Sequence, residues 1–282
     1  MAHVPQLLDR LGDHRLHVLH ITELFHLVEY QQIEDAEGLR RRAEEHFKLI
    51  EDPNLEGNYY RDHDGNACDI PRVLECYTRA LSLSTDTSAG EQHCRALDAI
   101  AQVQWQIGNY RTSQKQAQKA QHYAAALGNL FREANSIYTE TASCIAIGDF
   151  SRCLDLIAKA RILLSVCGLQ GGELENGLDN VAAEIHLLKT EYAESRSLNQ
   201  DIANKTSKTK SPLAYGYAMA NLAYIDITIG AEEDKIRDSM DAARSTFSAM
   251  AFSDGVLVVD ATSATGQVRI PKMFRRISGE RC

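Results

Sequence analysis

Proline, glycine and tryptophan are scarce in this chain. Among 282 residues there are five prolines, seventeen glycines and a single tryptophan. Glycine and proline together fall below their average share of about 12%. This scarcity excludes collagen-like and glycine/proline-rich disordered chains, and it argues against an all-β fold with its many turns.

Positive charge is also in short supply. The chain has 39 Asp and Glu against 30 Lys and Arg, a formal net charge of −9. Nucleic-acid binding depends on phosphate neutralisation by Lys and Arg, so we expect no nucleic-acid partner. The chain lacks a signal-peptide core and any run of about 18 apolar residues, which predicts a cytoplasmic protein without a membrane partner.

Motifs for catalysis and cofactor binding are missing. The sequence contains no G-x-x-x-x-G-K-[ST], no G-x-G-x-x-G and no G-x-S-x-G. None of its seven cysteines forms a C-x-x-C pair, which excludes zinc-ribbon and thioredoxin-like classes. The sequence therefore predicts a protein that is not an enzyme and binds no cofactor.

A repeat of about forty residues runs through the chain. Similar junctions stand at Ile107–Tyr110, Ile147–Phe150 and Lys189–Tyr192, and Ile229–Glu232 shares their first half. The marker positions 108, 148, 190 and 230 are separated by 40, 42 and 40 residues. Small residues accompany each junction at fixed distances, before it at Ala101, Thr141, Ala183 and Ala223, and after it at Ala80, Ala120, Ala160 and Ala242. Such small residues let the two helices of a hairpin pack closely.

The junction residues have the chemistry of helix ends. Glycine at positions 108, 148 and 230 permits the left-handed conformation that closes a helix. Asn109 and Asp149 then suit the N-cap of the following helix. The spacing predicts an all-α chain of antiparallel helical hairpins.

These junctions and the small residue ten positions later resemble the tetratricopeptide repeat (TPR). The resemblance covers residues 70–252 and implies a right-handed superhelix of helical hairpins, a TPR-like α-solenoid. The usual period is 34 residues, whereas here it is about forty. The family's helix-start Trp and closing Pro are absent, since Trp105 stands near the end of its predicted helix.

Four segments are similar to the C-terminal repeat region of fungal NACHT or related STAND ATPases. They are Leu8–His14, Thr22–Phe25, Ala80–Leu83 and Cys167–Leu174. The resemblance implies a sensor or interaction region that follows a nucleotide-binding domain. Because this chain has no P-loop, the resemblance covers the repeats and not the NTPase domain.

The two ends are less regular. Residues 1–52 predict a divergent N-terminal helical hairpin or cap. Residues 53–69 contain two glycines and many Asn and Asp residues, which predicts a degenerate or loop segment. Residues 253–282 predict an irregular tail, disordered or truncated. A decayed or truncated fragment of a STAND sensor region is therefore one alternative interpretation.

A histidine cluster near the N-terminus supports a second alternative, a helical enzyme with a metal site. The cluster comprises His14, His17, His20 and His26. Steps of three residues drift around a helix, and no H-E-x-x-H is present. We therefore favour a solvated or packed histidine face without a metal.

The remaining functional hypothesis concerns a surface. In the TPR family, the first helices of successive repeats line a concave groove. That register places candidate protein-binding residues at Arg95, Asp98, Gln102, Trp105, Asn135, Tyr138, Asn180, Glu184, Tyr217 and Tyr224. The positions of the Lys/Asn set that holds a chaperone's C-terminal carboxylate carry Asp98, Gln102, Tyr138 and Ala142, which argues against an EEVD-type tail. The expected function is a non-catalytic scaffold or sensor for a protein or peptide ligand.

Overall fold

A computed structural model describes residues 12–18, 21, 36–50, 52–63, 70–83, 90–206, 211–250, 255, 256 and 259. Regular secondary structure within these residues is helical, without strands. The chain divides into two compact units, residues 1–99 and 100–282. Each unit is described by itself.

The first unit is built from short helices. They are α1 (Ala36–Phe47), α2 (Pro53–His63) and α3 (Ile70–Leu83), followed by α4 (Gly90–Gln106), which begins in this unit and ends in the second. Helices α2 and α3 pack against each other. Buried residues of this unit include Phe47, Tyr59, Val73 and Tyr77, and the rings of Phe47 and Tyr59 meet edge to face at 5.2 Å.

Helix α2 lies within the segment that the sequence predicts to be degenerate or a loop, and its residues are helical. The Asp52 carboxylate caps the helix by accepting a hydrogen bond from the Leu55 amide at 3.0 Å. Pro53 follows in the first helical position, where its fixed φ favours a helix start. A Cβ on Gly57 would stand 2.9 Å from the Tyr77 ring, so glycine allows close packing that offsets its low helix propensity. The other residues of the predicted segment, 64–69, lie outside the described residues.

The second unit consists of consecutive antiparallel helices. They are α5 (Tyr110–Ala126), α6 (Leu130–Ile147), α7 (Phe150–Val166), α8 (Glu173–Leu188), α9 (Tyr192–Lys205), α10 (Pro212–Thr228) and α11 (Glu233–Ala249). Each helix contacts the next, and α8 also contacts α6 and α10. The prediction of an all-α chain of helical hairpins is confirmed, with hairpins α6–α7, α8–α9 and α10–α11.

Left-handed residues end the helices at the predicted junctions. Gly108, Gly148 and Gly230 have φ of 83°, 87° and 69°. Thr190 replaces glycine at the third junction and has φ of 63°, the one positive φ of a non-glycine residue in the described ranges. Gly128, with φ of 67°, ends α5 at a position that the sequence analysis left unmarked. Gly168 does the same after α7, so such a cap recurs every 20 to 22 residues from 108 to 190.

The small residues beside the junctions lie in the core. Those that precede the junctions are buried, namely Ala101, Thr141, Ala183 and Ala223. Those that follow are buried at Ala80, Ala120 and Ala160. In the last hairpin Ala243 is buried instead of Ala242, because α11 begins one residue later after its junction than α7 does.

The two predicted N-caps behave differently. Asp149 accepts a hydrogen bond from the Arg152 amide at 3.3 Å and caps α7 as expected. Asn109 occupies the N-cap position of α5, but its side chain caps no amide. Its Nδ2 instead donates to Gln104 Oε1 at 2.9 Å, which ties the junction to the preceding helix.

A buried carboxylate holds α5, α6 and α7 together. Glu140 on α6 is fully buried. It accepts hydrogen bonds from Gln118 Nε2 at 2.7 Å and Gln121 Nε2 at 2.6 Å, both on α5. Arg152 on α7 adds Nε at 2.9 Å and a guanidinium nitrogen at 2.8 Å. We call Glu140 with these three partners the hairpin seam.

The helices in the described ranges include none that is long and apolar enough to cross a membrane.

Candidate functional site

A cavity of about 790 Å³ opens where α6, α8 and α10 lie side by side. Helix α6 contributes Phe131 and Tyr138 to its lining, and α10 contributes Leu213 and Tyr217. Its volume falls within the roughly 300–1,000 Å³ of binding pockets. We call this cavity the groove.

Helix α8 supplies the floor of the groove. Asn180 and Glu184 line it and stand one turn apart, which places them on the same face of the helix. A Cβ on Gly177 would lie 3.3 Å from the Tyr138 ring. The glycine therefore lets Tyr138 of α6 lie close against α8, and this contact shapes the wall.

The rim of the groove is the turn between α7 and α8. Leu169 and Gln170 line the groove from this turn. The Gly171 amide donates to the Glu175 carboxylate, which holds the turn against the first turn of α8. Ser211, just before α10, donates its hydroxyl proton to Glu173 Oε2 at 3.1 Å, so the starts of α8 and α10 are joined at the rim.

Glu184 is a buried acid without a hydrogen-bond partner among the described residues. Its side chain is 5% exposed. Burial raises the pKa of its carboxyl to about 8, because the charged form loses hydration without compensation. Burial first, and the charge of nearby Glu184 second, raise the pKa of the Tyr138 hydroxyl.

Asn180 also presents an unused acceptor. Its Nδ2 donates to the Ala214 carbonyl of α10 at 3.4 Å. Its Oδ1 is buried and has no hydrogen-bond partner. Because the Ala214 carbonyl oxygen can only accept, the nitrogen of the Asn180 amide faces it and the amide oxygen is the unpaired atom.

The comparisons with known proteins show a fold and no family. No family model matches this chain, and no curated protein matches it. It is similar to a crystal structure of a Rap protein complexed with competence and sporulation factor. The identity is 12%, with 92% of this chain and 73% of that chain covered and a TM-score of 0.67. This likeness supports a TPR-like helical repeat fold. The resemblance to fungal NACHT and STAND proteins is not shown.

Five of the ten predicted groove residues come together in the groove. They are Asn135, Tyr138, Asn180, Glu184 and Tyr217, from three successive first helices of hairpins. Tyr217 also packs edge to face on Phe247 of α11, with ring centroids 5.3 Å apart.

Three other predicted residues of the second unit lie elsewhere. Trp105 is 6% exposed, and its indole Nε1 donates to the Ala142 carbonyl at 3.2 Å, so it packs between helices. Tyr224 is buried beside Leu187 in a separate cluster. Gln102 is half-buried on α4 and does not line the groove.

The last two predicted residues belong to the first unit. Arg95 is exposed and pairs with Glu91 one turn earlier at 2.8 Å. Asp98 is buried.

Sequence reasoning missed the rim and part of the wall. Phe131, Leu169 and Leu213 line the groove and were not among the candidates. Residues 168–172 contain three glycines, a signal for a tight turn that could have marked the rim. Gly177 inside a helix was a second usable signal, because an interior glycine often marks a close packing contact.

The structure describes two members of the predicted histidine cluster, His14 and His17. His14 Nδ1 lies 3.1 Å from His46 Nδ1, and the His17 ring stacks on His46 at 4.3 Å. The predicted His20 and His26 lie outside the described residues. No group of three or more His, Cys, Asp or Glu side chains in the described part of the chain is placed to hold a metal.

Proposed function

We propose that this chain is a cytoplasmic, non-catalytic interaction module that binds a peptide, or an exposed segment of a partner protein, in the groove. The observation that carries the proposal is the convergence of five residues predicted from the repeat register, on α6, α8 and α10, on one cavity.

The chemistry of the lining supports a peptide ligand. Tyr138 and Tyr217 offer aromatic surface on opposite walls, and Phe131 and Leu213 extend it. Tyrosine is among the side chains that anchor protein interfaces most strongly. Stacked helical repeats characteristically use the surface along successive helices for binding.

The structural neighbour supports the proposal by analogy. The crystallised Rap protein is in complex with competence and sporulation factor. A shared fold does not by itself imply a shared ligand, so the proposal for this chain rests on the residues of its own groove.

The test begins with selection of displayed random peptides on the immobilised full chain. The selected peptides are then titrated by calorimetry against wild type and a Tyr138→Ala/Tyr217→Ala variant. We expect at least about a tenfold loss of affinity, because aromatic anchors often contribute more than 1 kcal/mol. Tyr123→Ala is the matched control, since Tyr123 is exposed and does not line the groove.

A failure to select any peptide would overturn the proposal. Unchanged affinity in the double variant would overturn it as well, provided that the variant retains a cooperative thermal melt. A non-cooperative melt of the wild type would instead favour the decayed-fragment alternative.

As a finer version we propose a sensor role, in which the module restrains an NTPase. The sequence resemblance to STAND repeat regions is its support. An in-frame NTPase coding region upstream in the genome would support this version, and an unrelated upstream gene would contradict it.

A further inference from the structure

The floor of the groove presents two polar side chains, Glu184 and Asn180, whose oxygens have no hydrogen-bond partner among the described residues. Glu184 has two carboxyl oxygens and no hydrogen-bond partner among the described residues, although it is 95% buried. Asn180 donates one Nδ2 hydrogen bond to the Ala214 carbonyl, and its buried Oδ1 has no partner. Buried polar groups without partners are costly, so a ligand that brings donors gains more here than an apolar one.

The charge of the lining has one sign. Among the described lining residues the ionisable carboxyls are Glu173 and Glu184, and there is no Lys or Arg. Glu173 at the rim already accepts the Ser211 hydroxyl, whereas Glu184 is unpaired at the floor. An acidic floor favours a cation and disfavours a carboxylate.

The walls suit the stem of a long cationic side chain. Lysine and arginine carry an apolar stem that can cover hydrophobic surface while the head reaches a polar partner. Tyr138 lines the same groove as Glu184, and its ring can also attract a cation. In the free protein the raised pKa keeps the Glu184 carboxyl largely protonated near neutral pH, and an arriving cation favours its ionised form.

We propose that the groove recognises an extended peptide segment through one lysine or arginine, whose charged head binds between Glu184 and Asn180. Apolar residues beside that basic residue contact Tyr138 and Tyr217. This inference rests on the proposed function and adds the chemical class of the ligand to it.

The experiment compares peptide selections on wild type, Glu184→Gln and Glu194→Gln. Glu194→Gln is the matched control, because Glu194 is an exposed acid on α9 outside the groove. We expect wild type and the control to select Lys or Arg next to apolar residues. We expect Glu184→Gln to lose the basic preference while it keeps the apolar one.

A second step measures a pairwise coupling by calorimetry. The best wild-type peptide is compared with the same peptide carrying norleucine in place of its basic residue. Glu184→Gln should weaken the basic peptide on the order of thirtyfold, the usual effect of removing one partner of a buried charge pair. The same variant should change the affinity for the norleucine peptide by less than about twofold. The loss would then be specific to the pair formed by Glu184 and the basic residue.

The outcomes separate the two proposals. Selected peptides without Lys or Arg, or equal affinity of the basic peptide for wild type and Glu184→Gln, would overturn the cation subsite and leave peptide binding intact. Binding of free agmatine as tight as that of the peptides would overturn the peptide as occupant. Selection that does not depend on Tyr138 and Tyr217 would overturn the proposed function itself.

Discussion

The hairpin seam and the groove floor each bury a glutamate, but only the glutamate of the seam is hydrogen-bonded to neighbouring side chains. Glu140 in the seam accepts hydrogen bonds from Gln118, Gln121 and the Arg152 guanidinium. Glu184 in the floor has no such bond among the described residues, and burial raises the pKa of its carboxyl. The exposed fractions are 0% and 5%, so burial alone does not distinguish them.

The difference separates what builds the scaffold from what is open to a ligand. In the seam, one carboxylate satisfies donors from α5 and α7 and fixes how those helices meet α6. In the floor, the same residue type remains unpaired at a cost in stability. Unsatisfied buried polar groups are rare in folded proteins and often stand at functional sites.

The largest effect should come from breaking the seam. Glu140→Ala strands the donors of Gln118 and Gln121 and removes the partner of Arg152. We expect a loss of about 3 kcal/mol in the free energy of unfolding, because buried amide donors lose their acceptor and the deleted side chain leaves a cavity. Urea unfolding measures it, with the exposed Glu194→Ala as control. A loss similar to that of the control would contradict the structural role of the seam.

The next largest effect should be a pH dependence of the free energy of unfolding that comes from Glu184 in the groove floor. The folded pKa of Glu184 is about 8 against the ordinary glutamate value of 4.5, so the folded state binds more protons between these pH values. Wild-type stability therefore falls as pH rises through this window. Relative to wild type, Glu184→Gln should gain about 2 kcal/mol between pH 6 and pH 8. Parallel urea-unfolding stabilities for the two proteins across this range would contradict the buried, unpaired acid.

A smaller effect is expected from a substitution at Thr190, which should change the stability of the scaffold without changing peptide binding in the groove. Thr190 ends the helix that carries Glu184 and is held in the left-handed region. Thr190→Gly should raise the free energy of unfolding by about 1 kcal/mol, because glycine adopts this conformation without strain. The thermal midpoint should rise while peptide affinity stays unchanged. The reverse substitution at an equivalent junction, Gly148→Thr, should lower the thermal midpoint.

The smallest effect is expected for an exposed ion pair. Arg237 lies 3.0 Å from Asp234, and both side chains are largely exposed. Arg237→Ala should change the free energy of unfolding by less than about 0.5 kcal/mol, since water screens such pairs. A loss comparable with that of Glu140→Ala would mean that burial is not what makes the seam strong.

The hairpins could be predicted from the sequence because helix ends have a local chemical signature. Gly148 and Asp149 mark a cap and an N-cap within two residues, and the forty-residue spacing repeats the signal. Thr190 was recognised at a glycine position because its junction, Lys189–Tyr192, resembles the others and stands at the same spacing. Helix α2 was missed because a long-range contact, Gly57 against Tyr77, outweighs local propensity there.

The groove could be predicted only in part. The register of the forty-residue repeat places Tyr138, Glu184 and Tyr217 on the first helices of successive hairpins. The structure brings these three residues together in the groove. Register alone cannot tell a groove face from a packed face, which is why Trp105 and Tyr224 were included. The unpaired state of Glu184 depends on which donors the neighbouring helices present, and no local pattern carries that information.

The regular recurrence of left-handed caps makes the hairpin an exchangeable unit. A duplication or deletion of about forty residues between two such caps would join one helix end to an equivalent helix start. Each new hairpin would pack against its neighbours through the same small residues. The contacts between adjacent hairpins would therefore be preserved after the duplication or deletion. The number of residues available to hold a ligand could thus change in whole hairpins, by gene recombination and without redesign of the core.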